Sequence, residues 1–243
     1  MITAVVPVRK GSVRVKNKNL RPFAGSNLLQ IKLDTLKGVG LFDEVVVSTD
    51  SKEMMGIASR AGVKVHEREE YYASSECNNS EFFENIAQFI ESDVIAYTPV
   101  TSPLVSRETY REVISKYKSE GLRNIVTASY VKHHMWLDGA PLNYDVMNSP
   151  NSQDLPNIIA LNYGINIITR ADMLRYKNVV TSTPTFYMLD EIESVDVDTE
   201  LDFIVAETLY KKLYGTIYDD KAIEFKSRSQ VLDRVLPPGG EEK

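Results

Sequence analysis

The chain has 243 residues, a formal net charge of −6 and a hydrophobic fraction of 43%. This composition is typical of an ordinary soluble globular protein, and the length suits one domain with a sizeable core. The acidic balance, with no basic face carrying interleaved aromatic residues, argues against nucleic-acid binding. Because Cys77 is the only cysteine, neither an intrachain disulfide nor a cysteine metal cluster is possible. We expect Cys77 to be a small buried residue.

The sequence contains no segment that predicts membrane insertion. No apolar run approaches the roughly 20 residues that span a bilayer, and the first residues lack a basic stretch followed by an apolar one. We therefore expect a cytoplasmic protein without a membrane partner.

Apolar runs alternate with helical patterns through the first half of the chain, which is typical of a parallel sheet covered by helices. A further strand, a short extended segment and a long helix are predicted near the end. The predicted strands are Ile2–Val8, Glu44–Ser48, Lys64–His66, Val94–Thr98, Ile125–Ser129, Asn162–Thr169 and Ser194–Val197. The predicted helices are Ser26–Lys37, Ser51–Ala61, Ser80–Ile90, Arg107–Ser119 and Glu200–Tyr214.

The last predicted helix has a start signal, with Thr199 as its N-cap and acidic residues in its first turn. Its inward face is predicted to contain Leu201, Val205, Thr208, Leu209 and Leu213.

Between the two halves lies an irregular stretch, residues 133–161, which is rich in proline and asparagine. Such a stretch in a compact domain is usually functional or an arm that engages a partner. We expect one domain over residues 1–236 and a flexible tail at 237–243.

A basic loop follows the first predicted strand. Glycine lets the backbone of such a loop approach a ligand, and cations neutralise phosphate oxygens. The loop therefore predicts a polyphosphate site, the alternative being a solvated basic loop. Its cations and small residues are Arg9, Lys10, Gly11, Ser12, Arg14, Lys16 and Lys18.

An acidic pair, Asp196 and Asp198, stands near the end of the chain. In a strand the two side chains project from one face, about 6.5–7 Å apart along the chain. Two such carboxylates predict a site for a hard divalent cation such as Mg²⁺. The alternative is that Asp196 is a surface residue and Asp198 a helix cap.

Two hydroxyl residues, Thr101 and Ser102, follow the predicted strand Val94–Thr98 between two prolines. Ligands bind at the carboxyl edge of open α/β sheets, so these hydroxyls could contact a sugar or a phosphate. They could equally cap the helix that begins near Arg107.

Five motifs together resemble the cytidylyltransferases that activate sialic acid and related keto-sugar acids. The likeness covers about residues 2 to 210, with the motifs in the family's order and spacing. The motifs are Arg9–Ser12 with Lys18–Leu20, Val47–Asp50, Thr101–Leu104, His133–His134 and Asp196–Asp202.

The resemblance implies a Rossmann-like, three-layer α/β nucleotidyltransferase fold, with a mostly parallel sheet and an irregular dimerisation arm at about 133–161. It also implies a homodimer whose arm crosses into the partner's active site. In the implied reaction an acceptor hydroxyl attacks the α-phosphorus of CTP and pyrophosphate leaves, with Arg9, Lys18 and Asp198 as catalytic residues.

The resemblance further assigns binding roles to residues of this chain. CTP would be bound by Arg9, Gly11, Ser12, Lys18, Asn19, Arg68 and Asn79, the last two at the cytosine. The acceptor would be bound by Thr101, Ser102, His133, His134 and Asn162, and Mg²⁺ by Asp196 and Asp198.

The chain departs from the sialate enzymes on the acceptor side. Pro99-Val100 replaces a Gln-Pro pair, and Asn162-Tyr163-Gly164 replaces Pro-Asn-Gly. The arm has no lysine or arginine at 135–138 or 152–156, where sialate enzymes supply cations for the sugar carboxylate. Losing such a charge-assisted hydrogen bond should matter, so we expect a CTP half that is intact and an acceptor half that is rebuilt.

Three other functions stay open. One is CTP-dependent transfer to a phosphorylated acceptor, which gives a CDP-type product. Another is a catalytically silent nucleotide-binding subunit. A dinucleotide-binding oxidoreductase is the least favoured, because no G-x-G-x-x-G follows the first predicted strand.

Overall fold

A twisted sheet and its covering helices make up the computed structural model, which describes residues 1–12 and 14–216. Within these residues the strands are β1 (Ile2–Pro7), β2 (Glu44–Thr49), β3 (Lys64–Glu67), β4 (Val94–Tyr97), β5 (Asn124–Val131), β6 (Trp136–Leu137), β7 (Ala140–Pro141), β8 (Ile158–Thr169) and β9 (Thr185–Met188). The helices are α1 (Leu28–Val39), α2 (Lys52–Arg60), α3 (Glu70–Ala73), α4 (Asn79–Phe89), α5 (Arg107–Ser119), α6 (Arg170–Tyr176) and α7 (Glu200–Tyr214).

Seven of the described strands form one sheet in the order β3-β2-β1-β4-β8-β5-β9, and β6 pairs with β7 in a separate ribbon. Strand β8 runs antiparallel to β4 and β5, whereas every other neighbouring pair in the large sheet is parallel. The predicted α/β fold with a mostly parallel central sheet is confirmed.

Helices cover both faces of the sheet because its central strands are apolar on both sides. In β1, Ala4 and Val6 face the core that includes α1, α2, α5 and α7, whereas Val5 faces the core that includes α4 and α6. Near-continuous apolar runs of this kind are expected of parallel strands buried on both faces. The result is a three-layer arrangement.

The parallel order brings the carboxyl ends of β1, β2, β3 and β4 to one edge of the sheet. The basic loop leaves β1 at this edge, Asp50 follows β2, and Arg68 follows β3. The segment from Thr98 to Leu104, called the 98–104 turn below, leaves β4 there. The topology thus collects segments that are far apart in sequence.

The end of the chain differs from the prediction in two respects. Residues Ser194–Val197 are not a strand, and the last strand of the described sheet is β9. Thr199 does cap α7, and its hydroxyl and Asp202 form a reciprocal capping box. The predicted inward face of α7 is correct only in part. Leu213 is buried and Leu209 packs against the core, but Leu201 is 68% exposed, and the buried Phe203 and Tyr210 were not part of the predicted face.

The orientation of α7 follows from a long-range aromatic contact. The rings of Phe203 and Tyr210 lie 5.3 and 5.6 Å from that of Phe23, in edge-to-face geometry. The helix is apolar on more than one side, so its own periodicity does not determine which side is buried.

The irregular segment forms a surface arm between β5 and β8. It contains the β6–β7 ribbon and exposes large apolar side chains, including Trp136 (56% exposed) and Met147 (93%). Its role in dimerisation and the single-domain division stay predictions, and the predicted tail at 237–243 lies outside the described residues. Within those residues we find no helix that is both long and apolar enough to cross a membrane.

Candidate functional site

A cavity of about 590 Å³ opens at the carboxyl edge of the sheet. Its walls come from the basic loop, the segment after β3, the start of α4, the 98–104 turn, β8 and the segment before α7. Nine of the fourteen predicted site residues line it: Arg9, Ser12, Lys18, Asn19, Arg68, Asn79, Thr101, Asp196 and Asp198. Arg9 and Asp198, which the predicted function requires in one cleft, are both there.

The basic loop is tied down by hydrogen bonds that leave cationic side chains at the cavity. Arg9 extends across to the end of α3, where its Nη1 donates to the carbonyls of Ala73 at 2.8 Å and Ser74 at 3.1 Å. Asn19 Nδ2 donates to the Arg9 carbonyl at 3.1 Å. The loop is therefore a formed structure rather than a solvated basic run.

Lys18 lies between the basic loop and the acidic pair. It is 8% exposed, its Nζ donates to the Val197 carbonyl, and it lies 3.7 Å from Asp198 Oδ1. Burial lowers the pKa of Lys18, and the attraction of Asp198 and then Asp196 opposes that shift. The side chain thus places an ammonium beside two carboxylates at the cavity wall.

Asp198 also binds Arg14 through a two-pronged ion pair. Arg14 Nη2 lies 3.0 Å from Asp198 Oδ1, and Arg14 Nη1 donates to Oδ2 at 3.0 Å. Arg14 was expected in the basic loop but not among the site residues. The structure adds it to the cavity wall.

Asp196 has a carboxylate oxygen that is shielded from solvent and has no hydrogen-bond partner among the described residues, namely Oδ1. Burial raises the pKa of Asp196, while a hydrogen bond with the Thr101 side chain opposes the shift. The Val197 amide donates to the Thr101 carbonyl at 2.8 Å, which fastens this segment to the 98–104 turn. An orphaned carboxylate oxygen fits a cation, because buried polar atoms normally have partners.

Arg68 is a further cation of the cavity lining. It is 4% exposed, its Nη2 donates to the Val8 carbonyl at 2.6 Å, and its guanidinium lies 5.0 Å from the ring centre of Phe82. Burial lowers its pKa to about 10, so it stays charged at neutral pH. Its Nε has no partner among the described residues, and Asn79 lines the same wall. This corner could bind a planar polar base.

Five predicted site residues do not line the cavity of the single chain. Gly11 is exposed in the basic loop, and His133 and His134 are exposed on the arm, with His134 Nε2 3.0 Å from the Pro150 carbonyl. Ser102 and Asn162 are buried. The placement of the Ser102 hydroxyl at the ligand edge is corrected, because this residue turns into the core. The acceptor-binding roles stay predictions.

The position of Cys77 differs from the expectation that this residue is buried. It is partly exposed and lines the cavity beside Asn79, rather than lying in the core. Partial burial, and then the negative charge of Glu81, nevertheless raise the pKa of its thiol.

Tyr163 is a cavity residue whose role the sequence analysis did not identify. It lies in an irregularity of β8, where the pairing with β5 shifts between Val126 and Ala128, and it has φ of +53°. A left-handed tyrosine is uncommon and costs energy, so it must be stabilised by its surroundings. The replaced Pro-Asn-Gly motif was the one signal that marked this position.

Comparisons with known proteins show which family and which relatives the chain is similar to. The cytidylyltransferase family model matches residues 3–135. The chain is 27% identical over 215 residues to the N-acylneuraminate cytidylyltransferase of Oncorhynchus mykiss, covering 85% of this chain and 49% of that protein. It is 27% identical over 222 residues to the CMP-N,N'-diacetyllegionaminic acid synthase of Legionella pneumophila, covering 86% and 95%. The chain therefore spans about half of the trout relative and nearly all of the Legionella one.

Two solved structures share the fold. A CMP:2-keto-3-deoxy-manno-octonic acid synthetase in complex with CTP matches with a TM-score of 0.62 at 14% identity, covering 86% of this chain and 97% of that one. The 4-diphosphocytidyl-2C-methyl-D-erythritol synthase of Anaerococcus prevotii matches with a TM-score of 0.60 at 15% identity, covering 86% and 98%. Since the family model spans more than half of the chain and the fold agrees with it, the chain belongs to the cytidylyltransferase family.

Proposed function

We propose that this protein transfers CMP from CTP to a hydroxyl of a keto-sugar acid, with Mg²⁺ as cofactor and pyrophosphate as the other product. The observation that carries the proposal is the convergence of cations and carboxylates on one cavity. Arg9 and Lys18 come from the basic loop and Arg68 from the segment after β3, and Asp196 and Asp198 line the same cavity. This combination suits a nucleoside triphosphate and its metal.

The two ends of the cavity suit the two ends of CTP. Lys18 and Arg14, which already contact a carboxylate, would neutralise the phosphate oxygens. The face of Phe82, the free Nε of Arg68 and the Asn79 amide would bind the cytosine. Stacking and charge-assisted hydrogen bonds are strong in such partly buried positions.

The transfer needs positioning and charge neutralisation more than covalent catalysis. The acceptor oxygen forms a bond to the α-phosphorus while the bond from that phosphorus to the pyrophosphate oxygen breaks. The acceptor proton passes to solvent or to a carboxylate of the site. Arg9 and Lys18 would stabilise the charge that develops on the departing pyrophosphate.

The residues fit Mg²⁺. Asp196 Oδ1 is a shielded oxygen with no partner among the described residues, and both oxygens of Asp198 are engaged by a cation already. Two carboxylates with substrate phosphates and waters form the ligand set that Mg²⁺ prefers. When bound, Mg²⁺ would polarise the α-phosphate.

The proposed class of acceptor is inferred from the names of two relatives. Two of them are named for acylneuraminate and diacetyllegionaminic acid, and both names denote sugar acids. The arm of this chain lacks cations where sialate enzymes have them, so we propose an acceptor that differs from ordinary sialic acid. The exposed Trp136, Leu137 and Met147 on the arm support a homodimer, because isolated monomers seldom expose such a cluster.

The decisive experiment is a pyrophosphate-release screen with CTP, Mg²⁺ and a panel of acceptors. The panel contains N-acetylneuraminic acid, N,N'-diacetyllegionaminic acid, 2-keto-3-deoxy-manno-octonic acid and several sugar phosphates. Release with a sugar acid, and a CMP-linked product by mass spectrometry, would support the proposal. A CDP-type product would support a phosphorylated acceptor, and CTP binding without release would indicate a silent subunit.

Cys77 provides an independent probe of the cavity. We expect CTP with Mg²⁺, at ten times its Kd, to slow alkylation of Cys77 by N-ethylmaleimide about tenfold, because about one site in eleven would then be free. Mass spectrometry would follow the adduct, with Cys77→Ala as the control that takes none. An alkylation rate unchanged by CTP would contradict binding in this cavity.

A further inference from the structure

Lys32 is a lysine buried in the body of α1, only 1% exposed. A buried ammonium is costly unless its protons have partners, and burial lowers the pKa of Lys32 to about 7. Its Nζ donates to the Ser102 carbonyl at 2.9 Å and to the Tyr110 hydroxyl at 2.7 Å. The reaction proposed above does not use this side chain, so a buried ammonium at this position needs another reason.

The bridge continues from Tyr110 to β8. The Tyr110 hydroxyl accepts from Lys32 and donates to the Gly164 carbonyl at 3.2 Å, and Tyr110 is completely buried. The two side chains therefore join the 98–104 turn to the irregular part of β8. The chain separations, 70 residues from Lys32 to Ser102 and 54 from Tyr110 to Gly164, make this a tertiary link.

Each end of the bridge is next to a residue of the cavity wall. Ser102 follows Thr101, whose carbonyl accepts from the Val197 amide at 2.8 Å. Gly164 follows the left-handed Tyr163.

Gly164 has little freedom to move. A Cβ there would lie 2.9 Å from Val105 Cγ2 and 3.2 Å from Thr127 Oγ1, and the next amide, Ile165 N, donates to that same Thr127 oxygen at 3.1 Å. The irregular part of β8 is therefore closely packed on one side. The Tyr110 hydroxyl donates a hydrogen bond to the Gly164 carbonyl in this part of the strand.

We propose that Lys32 and Tyr110 are positioning residues that hold the 98–104 turn and the irregular part of β8 at a fixed separation, and thereby align Thr101 and Tyr163 for the acceptor. The proposal rests on the proposed function for its catalytic consequence. It requires no contact of either residue with substrate. None of the bridge's own hydrogen bonds is made by Arg9, Lys18 or Arg68, which are proposed to bind CTP.

The test uses Lys32→Met and Tyr110→Phe in the full chain. Methionine keeps the unbranched stem and removes the ammonium, and phenylalanine removes one oxygen. We expect kcat with the best acceptor of the panel to fall by about 10- to 100-fold, because small misplacements at a reacting centre have effects of this size. The Kd for CTP with Mg²⁺, measured by calorimetry, should stay within about twofold, an effect below 0.5 kcal/mol.

A second readout does not depend on turnover. Hydrogen–deuterium exchange of residues 98–104 and 162–166 should accelerate together in either variant, since each variant breaks the same link. The double variant should add little to the single ones, because coupled residues are non-additive. The matched control is Thr3→Val, which removes a buried hydrogen bond to Ser92 at the opposite edge of the sheet.

The outcomes separate the two proposals. If the wild-type protein releases no pyrophosphate with any acceptor, the proposed function fails, and the exchange experiment still decides whether the bridge holds the two segments. If the two segments exchange as in the wild type, or change no more than in Thr3→Val, the bridge is overturned. Equal losses of CTP affinity and kcat would also overturn it, because they indicate general destabilisation.

Discussion

Replacing Asp198 by asparagine is expected to lower pyrophosphate release by about 10²–10³-fold, the size of effect seen when one preorganised charge-stabilising group is removed. Asparagine keeps the shape but removes the negative charge that would bind Mg²⁺. It also leaves Arg14 and Lys18 without their anionic partner. The measurement is initial-rate pyrophosphate release from CTP across a Mg²⁺ titration.

The fold should survive this change. The Asp198 side chain is 40% exposed and that of Arg14 is 69% exposed, and ion pairs of such exposure contribute only about 0–1 kcal/mol. Thermal unfolding should therefore be nearly unchanged. The matched control is Glu200→Gln, which removes one negative charge two residues away in an ion pair with Arg21 and should leave release unaffected.

A metal role for Asp198 predicts a particular pattern. The activity of Asp198→Asn should recover in part as Mg²⁺ is raised, whereas the wild type saturates earlier. Near-normal release at low Mg²⁺ would remove Asp198 from the metal site. Asp196→Asn should behave similarly, since the orphaned Oδ1 of Asp196 is the second candidate ligand.

The strands and helices of the first half, and the start of α7, could be predicted because the physical cause is local. Apolar runs such as that of β1 are continuous when both faces are buried, and helix starts such as Thr199 at α7 have side-chain caps within three residues. A short loop that combines glycine with several cations can also be identified from sequence, which is why Arg9 and Lys18 are predicted correctly to lie at the cavity.

Contacts between distant segments could not be predicted. The pairing of Arg14 with Asp198 joins residues 184 positions apart, and no local pattern specifies it. The strand argument for Asp196 and Asp198 was wrong about conformation, yet both carboxylates line one cavity, because a loop fastened to Thr101 brings them there.

Whether a side chain points into the core or towards a ligand could not be predicted either. Ser102 looked like a ligand hydroxyl, but its backbone carbonyl binds a buried lysine and its side chain faces inward. From the sequence alone, Lys32 would be placed on the exposed face of an amphipathic helix, since lysine is almost never fully buried unless paired. Its partners, Ser102 and Tyr110, are 70 and 78 residues away.

Replacing Lys18 by methionine is expected to raise the Kd for CTP with Mg²⁺ by about 10- to 150-fold, the equivalent of the 1.5–3 kcal/mol that a hydrogen bond to a charged group contributes. Methionine keeps the packed stem and removes the ammonium that lies at the cavity wall. The loss of the hydrogen bond to the Val197 carbonyl should also cost about 1 kcal/mol of stability. Calorimetry gives the first quantity and denaturant unfolding the second.

Lys16→Met is the matched control for Lys18→Met. Lys16 lies in the same loop with the same charge, but it is exposed and does not line the cavity. It can act on CTP only through long-range attraction, which salt screens beyond about 10 Å at 0.1 M. Raising the salt should therefore abolish the effect of Lys16→Met and preserve most of that of Lys18→Met. If the two variants lose the same affinity and the same salt removes both losses, Lys18 does not contact the phosphates.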